Sequence, residues 1–484
     1  MYFCEKSNFI PPTPRRLLSF FRVNATYLNL SLVLFFLLLR LPLLWSEVPL
    51  LIPELSWMLV GEQMNRGFML YRDVWDNVSP LSGMVYWAID RLFGRSQLAY
   101  QVAAGAVSVF QILYFNYILR AREVLPERSH VPGAIYALLL NISFDLTTLS
   151  PMLMATTFLL LALGVAIKMF ERRQVTNEIF ELGFYIGLAA LFYLPTALFM
   201  GWAFVSLLFY TGATLRQHVL GFFGAVFPLA MVTLYFYLND SVASLNRNLL
   251  TSVFTVKQYA LNDFSSLIIS LVIPLALGTL GFMRMLTSSR LVNYQSRIQQ
   301  MMAIWMITAA LMVPLMEYLA PMQFVAFLPA MAYFTAYYFQ SFRRLWIAEL
   351  LFLGVVGAIV FIQYQGIMNL VPGLAAGRLD NLRAKSALLP EAITNKRILV
   401  IGDDEGEYLN NYTATPYLNW DLSRYDLENL DNFDSVIHVY DNFRQDPPEY
   451  IIDKQDVMPK LFDRVPALRK RYKPSPWKGI YEKE

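Results

Sequence analysis

Long apolar stretches, separated by short polar connections, run through the first three quarters of the chain. A membrane-spanning helix needs about 20 largely apolar residues. Stretches of this kind lie at residues 27–46, 99–120, 131–148, 152–170, 217–238, 264–284, 300–317, 322–340 and 346–366. The block 181–212 holds two more short spans, interrupted at 193–196, where Pro195 breaks helix hydrogen bonding. The pattern predicts a polytopic α-helical membrane protein with about eleven transmembrane helices.

Positive charges fall on alternate connections between the apolar stretches. Arginine residues cluster in the N-terminal tail, residues 1–26, and after the second, fourth, sixth, eighth and tenth predicted spans. Cytoplasmic loops are enriched in Lys and Arg, so the tail is predicted to be cytoplasmic. With eleven spans, the C-terminus and the first loop lie outside. We therefore expect a transmembrane domain at 27–366, a large outer first loop at 47–98 and an outer soluble domain at 367–484.

The first loop is longer than a simple connection between two spans requires. Connections longer than about 12–15 residues are usually functional or disordered, and this one is rich in aromatic and apolar residues. Residues 79–94 carry an apolar stripe at helical spacing, with Asp90 and Arg91 opposite, which predicts an amphipathic helix on the outer membrane surface. Residues 55–64 are a second candidate. Alternatively, 79–94 is part of a spanning helix, which would make the span count even.

The composition changes after Gly366, where the apolar stretches end. Residues 396–402 and 435–440 are short apolar runs bounded by polar residues, and we interpret both as buried strands. The last part of the chain is therefore predicted to be a small α/β domain.

Composition narrows the classes of function. The chain is 56% hydrophobic and only 15% charged, with a mean hydropathy of +0.43, whereas soluble proteins have about 25% charged residues. The net charge of +3 does not indicate a nucleic-acid partner. Cys4 is the single cysteine, which excludes disulfides within the chain, and the three histidines lie far apart, so no metal site is predicted.

Ionisable residues in or beside the spans are candidates for function. Arg40 lies in the first apolar stretch, and Asp145 and Glu317 lie where two later stretches reach the outer side. Together with Glu54 of the first loop they would place acidic groups above the membrane. The alternatives are an arginine that only extends its charge to the membrane surface and acids that are ordinary hydrated loop residues.

Basic residues on the outer side oppose the usual charge bias, so a compensating anion is expected there. A phosphate is one candidate, because arginine forms strong bidentate bonds to it. The alternative for the terminal run 469–473 is a solvated surface. The outer basic residues include Arg72, Arg91, Arg95, Arg247 and Lys257.

The first loop carries a spaced set of acidic, aromatic, glycine and proline residues: Glu54, Trp57, Gly61, Gly67, Leu70, Tyr71, Asp73, Pro80, Leu81, Phe93 and Gly94. In this pattern the loop resembles that of the integral-membrane GT-C glycosyltransferases, which include protein mannosyltransferases and lipid A aminoarabinose transferases. It also resembles an uncharacterised bacterial family of the same architecture. Later parts of these proteins also have similar segments in this chain, in the same order: the broken block 181–212, residues 319–329 and residues 447–453.

The resemblance implies a GT-C fold in the bacterial inner membrane, with periplasmic outer regions. It implies transfer of a sugar from a polyprenyl-phosphate donor to a lipid, glycan or protein acceptor, with inversion. Glu54 would be the catalytic base and Asp145 the second acid. Arg40, Arg72, Arg247 and Lys257 would hold the donor phosphate. A divalent metal is compatible with this chemistry, and the sequence contains no signal for an oligomeric state.

One departure from the family pattern concerns the start of the first loop. Family members often have Asp-Glu there, whereas this chain has Pro53 before Glu54. Either Glu54 acts as the base, or the protein is a catalytically silent member that assists assembly or export of a surface polymer or protein. A transporter is disfavoured by the odd span count and the lack of a repeat. An open cavity facing Glu54 and Asp145 would favour the enzyme, and a filled one the silent protein.

Overall fold

The computed structural model describes residues 17–45, 48–170, 176–210, 212–255, 264–288, 291–374, 377–385, 389–402 and 405–484. These residues are mostly helical. The membrane-domain and first-loop helices are α1 (Leu17–Phe21), α2 (Leu28–Trp45), α3 (Ile52–Asn65), α4 (Pro80–Phe93), α5 (Gln97–Ala121), α6 (Val131–Leu139), α7 (Pro151–Met169), α8 (Thr176–Phe192), α9 (Phe199–Tyr210), α10 (Leu215–Leu238), α11 (Val242–Leu245), α12 (Ser252–Thr255), α13 (Phe264–Leu286), α14 (Asn293–Met312), α15 (Leu328–Gln340) and α16 (Leu345–Met368).

Within the described ranges, six helices are long and apolar enough to cross a membrane: α5, α7, α10, α13, α14 with its following turn, and α16. Leu28–Leu41 and Leu194–Phe209 are shorter apolar helical stretches. The protein is thus a multi-pass membrane protein, and the count of eleven spans stays a prediction. The first-loop segments 55–64 and 79–94 are helical, as α3 and α4, and Pro53 and Pro80 lie in their first turns, where a missing N–H costs little.

Two of the predicted spans are interrupted. Helix α6 ends at Leu139 and is followed by a 3₁₀ turn at Phe144–Thr147, and α15 begins at Leu328 after a 3₁₀ turn at Pro321–Phe327. The expectation of continuous helices over 131–148 and 322–340 was therefore wrong. The predicted break near Pro195 is present, as a 3₁₀ turn at Leu194–Leu198 between α8 and α9.

Side chains of the first loop satisfy the backbone groups that the break near Pro195 leaves open. Ser82 donates its hydroxyl to the carbonyl oxygen of Phe192 at 2.7 Å, and the N–H of Leu194 donates to Ser79 Oγ at 3.2 Å. Breaks at membrane depth are tolerated where protein groups supply such bonds. The start of α4 is consequently tied to the end of α8.

Helices α8 and α10 pack with their backbones almost in contact. A Cβ atom added to Gly183 would lie 1.9 Å from the carbonyl oxygen of Gly221. Small residues at helix crossings permit this approach in membranes, where dispersion contacts rather than burial from water stabilise the pair.

The C-terminal part contains the elements β1 (Arg397–Ile401), β2 (Tyr412–Thr413), α17 (Trp420–Leu427), α18 (Phe433–Gln445), β3 (Tyr450–Asp453), α19 (Val457–Arg464), α20 (Pro466–Arg469), β4 (Tyr472–Pro474) and β5 (Ile480–Lys483). The described strands form a sheet in the order β2-β1-β3-β5-β4. Strands β2, β1 and β3 are parallel, and β5 pairs antiparallel with β3 and β4. The helices α17 and α18 connect β2 to β3.

The predicted strand at 396–402 is confirmed as β1, but the one at 435–440 was wrong, because these residues lie in α18. Val439 and Phe443 are buried at a spacing of four residues, which is helical, and Asn432 caps the helix by accepting the N–H of Asp434. Six residues were too few to separate this period from strand alternation.

The C-terminal part packs against the first loop. The Ile52 N–H donates to the carbonyl oxygen of Leu382 at 2.7 Å, and the Ala384 N–H donates to the carbonyl oxygen of Leu50 at 2.9 Å. Trp75 N–H donates to the carbonyl oxygen of Pro416 at 2.7 Å. The domain boundaries 1–26, 27–366 and 367–484 stay predictions.

Candidate active site between the first loop and the helix breaks

Glu54 lies in the first turn of α3 and is buried, with 2% of its surface exposed. The Thr148 hydroxyl donates to Glu54 Oε1 at 2.7 Å, and Gln97 Nε2 donates to Oε2 at 3.3 Å. Burial raises the pKa of Glu54 from 4.5 to about 7, although the bonds from Thr148 and Gln97 act in the opposite direction. A carboxyl group with this pKa exchanges its proton near neutral pH.

Asp145 lies in the 3₁₀ turn after α6, outside the long apolar helices, and is 1% exposed. Its Oδ2 accepts the backbone N–H of Met322 at 2.7 Å. Burial raises its pKa from 3.8 to about 6. The N–H of Thr148 donates to the Asp145 carbonyl oxygen at 3.4 Å, so Thr148 connects the two predicted acids.

Arg40 is buried and does not extend to a surface, so the alternative of a snorkelling arginine was wrong. It donates to the carbonyl oxygens of Leu146 at 2.7 Å and Leu140 at 3.4 Å, and to Asn141 Oδ1 at 3.3 Å. These acceptor groups lie at and just after the end of α6, where the hydrogen bonds of the helix stop. Arg40 therefore holds the segment that carries Asp145, and its predicted contact with a donor phosphate stays a prediction.

Two of the other predicted phosphate ligands meet at Trp75. Its Nε1–H donates to the Arg72 carbonyl oxygen at 3.3 Å, and the Arg247 guanidinium lies 4.3 Å from the Trp75 ring centroid. The Arg72 side chain pairs with Asp73 at 2.9 Å, and Arg247 pairs with Asp426 of α17 at 3.4 Å. Lys257 lies outside the described residues.

A polar cavity of about 40 Å³ lies between the start of α4 and the helix breaks. Glu54 and Asp145 are not among its lining residues. Trp57, one helical turn after Glu54 on α3, does line it, and stacks on Tyr86 with ring centroids 5.6 Å apart. The polar lining includes Asn77, Ser79, Tyr193, Ser252, Glu317, Tyr318 and Gln323.

The sequence pointed to Glu317 only as one of several outer acids, and it missed Tyr193, Tyr318 and Gln323. Tyr193 directly precedes the break at 194–198, whereas Glu317, Tyr318 and Gln323 lie within the break at 313–327. Polar residues beside breaks in apolar stretches were the available signal. Near the cavity, Asp76 accepts the N–H of Val78 at 2.7 Å, and burial raises its pKa from 3.8 to about 6.

An apolar groove of about 650 Å³ also lies beside the first loop. Its walls come from α3, α4, the turn between them and α10, and Arg72 and Asn239 provide polar groups in its lining. The apolar lining includes Phe68, Met69, Met84, Trp87, Tyr235 and Phe236. The groove is large enough for a substantial part of an acyl or prenyl chain.

Among the described residues, no group of three His, Cys, Asp or Glu side chains is placed to hold a metal ion. The carboxylates of Glu54, Asp145 and Asp76 accept hydrogen bonds from protein groups.

No family model matches the chain, and no curated protein matches it by sequence. Several solved structures do match the chain. The ArnT of Cupriavidus metallidurans bound to undecaprenyl phosphate matches with a TM-score of 0.50 and 14% identity, over 72% of this chain and 67% of that protein. The apo form of the same ArnT matches with a TM-score of 0.48 and 16% identity, over 71% of this chain and 64% of that protein. The archaeal oligosaccharyltransferase AglB of Archaeoglobus fulgidus also matches, with a TM-score of 0.48 and 12% identity, over 95% of this chain and 74% of that protein. It was solved in complex with an inhibitory peptide and a dolichol-phosphate.

The structures matched are those of GT-C glycosyltransferases, and the match spans about two thirds of the length of the ArnT chains. At these identities the likeness concerns the fold. The resemblance seen in the first loop is therefore confirmed at the level of the fold.

Proposed function

We propose that the protein transfers a sugar from a polyprenyl-phosphate donor to a lipid, glycan or protein acceptor at the periplasmic face of a bacterial inner membrane. The proposal includes eleven spans, a cytoplasmic N-terminus and a periplasmic C-terminal α/β domain at 367–484. The observation that carries it is the fold shared with an ArnT that was solved with undecaprenyl phosphate. The apolar groove beside the first loop supports it.

The groove is the proposed place for the prenyl chain of the donor. Its apolar walls match a hydrocarbon, and Arg72 lies in its lining. Asp73 engages Nε and one terminal nitrogen of Arg72, at 3.0 and 2.9 Å. The guanidinium has five N–H donors, so further donors are available for a phosphate oxygen at this half-exposed position.

Glu54 is the proposed base. It takes the proton from the acceptor hydroxyl while that oxygen bonds to the anomeric carbon. The bond from that carbon to the phosphate oxygen breaks on the opposite face, and polyprenyl phosphate leaves with the electron pair. A pKa of about 7 suits a base that works near neutral pH. Asp145 is the proposed second acid, and Thr148 positions it relative to Glu54.

A second candidate function is supported by the burial of Glu54. The described cavity does not reach Glu54, and at about 40 Å³ it has room for water but not for a hexose. Catalysis thus requires Trp57 or its neighbours to move. If they do not move, the protein is a silent member of the fold that assists assembly or export of a surface polymer or protein.

Mass spectrometry of surface glycans, glycolipids and glycoproteins tests both candidates in a deletion strain. The strain is complemented with wild type, Glu54→Gln or the exposed control Glu428→Gln. Sugar transfer predicts a missing modification that wild type and Glu428→Gln restore and Glu54→Gln does not. Full restoration by Glu54→Gln would remove the base assignment. A deletion strain without any glycan change would overturn transfer in favour of the silent protein.

A further inference from the structure

A second polar cleft, of about 420 Å³, lies between the first-loop helices and the C-terminal sheet. One wall is formed by α3 and the end of α4, and the other by residues before and after β1. The residues that line it are absent from the lining of the polar cavity and of the apolar groove. The cleft is thus separate from the site proposed for transfer.

The floor of the cleft is held rigidly by one carboxylate between two arginines. Glu62 is 9% exposed and pairs with Arg66 at 2.7 Å and with Arg95 at 2.5 Å. Arg95 also donates to the carbonyl oxygens of Tyr408 at 2.8 Å and Asn411 at 3.0 Å. A floor ordered before a ligand arrives reduces the entropy lost on binding.

The rim offers uncharged polar groups and one aromatic ring. Asn395 and Asn410 have exposed side chains, and each amide presents both donors and acceptors. Tyr412 is 39% exposed, and Arg66 and Arg95 contact its ring at 4.9 and 5.7 Å from the centroid. The two amides and the Tyr412 hydroxyl can donate hydrogen bonds to the hydroxyl groups of a ligand and can accept hydrogen bonds from them.

The charges in the cleft cancel. The guanidinium groups of Arg66 and Arg95 are matched by the carboxylates of Glu62 and Asp90, which all line it. An anion would have to compete with Glu62 for the arginines, and a cation would meet both of them. The balance favours a neutral ligand rich in hydroxyl groups.

From the neutral charge, the planar polar groups and the volume, we infer that this cleft binds a neutral oligosaccharide. The volume suits a ligand of about two or three sugar units. The inference does not depend on sugar transfer at the other site, because a silent protein could hold a glycan in the same way.

Direct binding to the full-length protein tests this inference. The protein is placed in lipid nanodiscs, since maltoside and glucoside detergents would compete for the cleft. Maltotriose, cellotriose and chitotriose serve as neutral probes, and sulfate as an anionic one, in saturation-transfer NMR and calorimetry. We expect at least one trisaccharide to bind.

The double variant Asn395→Gly/Asn410→Ala removes both rim amides. Glycine is chosen at position 395 because Asn395 has φ of 59°. We expect affinity to fall about tenfold, as for the loss of one or two hydrogen bonds. Asn429→Ala, at an exposed position outside the cleft, is the matched control and should bind as wild type does.

Three results would overturn the inference. The first is that none of the trisaccharides binds to the wild-type protein. The second is that the double variant binds the sugar as tightly as the wild type does, and the third is that millimolar sulfate displaces the sugar. Loss of sugar transfer in the Glu54→Gln strain, by contrast, has no bearing on these binding measurements.

Discussion

Thr148 joins the two predicted acids: its hydroxyl donates to Glu54 at 2.7 Å, while its backbone N–H donates to the carbonyl oxygen of Asp145 at 3.4 Å. The first loop and the turn after α6 therefore share one hydrogen-bonding residue. Thr148 is itself 2% exposed, so its hydroxyl is shielded from bulk water.

Replacing Thr148 with valine should raise the pKa of Glu54 above about 7, because the carboxylate loses its shorter side-chain donor. A hydrogen bond to a charged group contributes about 1.5–3 kcal/mol, which corresponds to roughly one to two pH units. If Glu54 is the base, the rising limb of the rate against pH moves to higher pH. Sugar incorporation in membranes, measured from pH 5.5 to 9, checks this.

Thr148→Ser is the matched control for that experiment, since serine keeps the hydroxyl. It should retain the wild-type pH profile. An unchanged profile in Thr148→Val would show that Glu54 does not govern the pH dependence of transfer.

Glu54→Gln should stabilise the protein at pH 8 and have little effect at pH 5. The folded protein keeps a proton on Glu54 up to about pH 7, whereas an unfolded chain releases it near 4.5. The folded state binds more protons in this window, so Glu54 lowers stability as pH rises through it. The effect is at most about 3.5 kcal/mol, because the two pKa values differ by about 2.5 and one pKa unit corresponds to about 1.4 kcal/mol. Thermal unfolding of the purified protein at both pH values measures it.

Arg40→Met should destabilise the fold, because the buried carbonyl groups of Leu140 and Leu146 lose their donor. Each unsatisfied buried group costs about 1–3 kcal/mol. Thermal unfolding of this variant is compared with that of Arg216→Met, at an exposed position of α10. A variant with wild-type stability that fails in sugar transfer would instead support the predicted contact of Arg40 with the donor phosphate.

Gly61→Ala should disrupt the packing of α3 on α4. A Cβ atom at Gly61 would lie 2.6 Å from the carbonyl oxygen of Tyr86, and backbone atoms cannot give way as a flexible side chain does. We expect a loss of about 1–3 kcal/mol in stability. Gly105→Ala in α5 is the control, because its added Cβ meets no atom within 4 Å, and it should be neutral or stabilise by about 0.5–1 kcal/mol.

Trp75→Ala should loosen the C-terminal part from the first loop. The ring packs edge-on against Tyr417 at 5.0 Å and under the Arg247 guanidinium, and truncation of a buried tryptophan costs about 3–5 kcal/mol. Limited proteolysis should release a C-terminal fragment faster than from Trp346→Ala, where the replaced ring is 55% exposed. Equal cleavage rates would mean that other contacts hold the two parts together.

The sequence by itself determined the class of the protein. Apolar stretches about as long as a bilayer is thick must form helices that satisfy their own backbone groups, so the membrane helices follow from composition and length. The helices α3 and α4 and the strand β1 were also predictable, because their periodicity is local. At 435–440 the local pattern was too short to distinguish helix from strand.

Only the tertiary structure decided which of these residues meet. Arg40 bonds to residues 100 to 106 positions away in the sequence, and Glu54 bonds to Thr148, 94 positions away. No local pattern specifies such contacts. The fold also buries Glu54 outside the lining of the cavity, whereas Trp57 and Glu317 line it. Burial and hydrogen bonding set the chemistry of a carboxyl group, and both arise from the packing of distant segments.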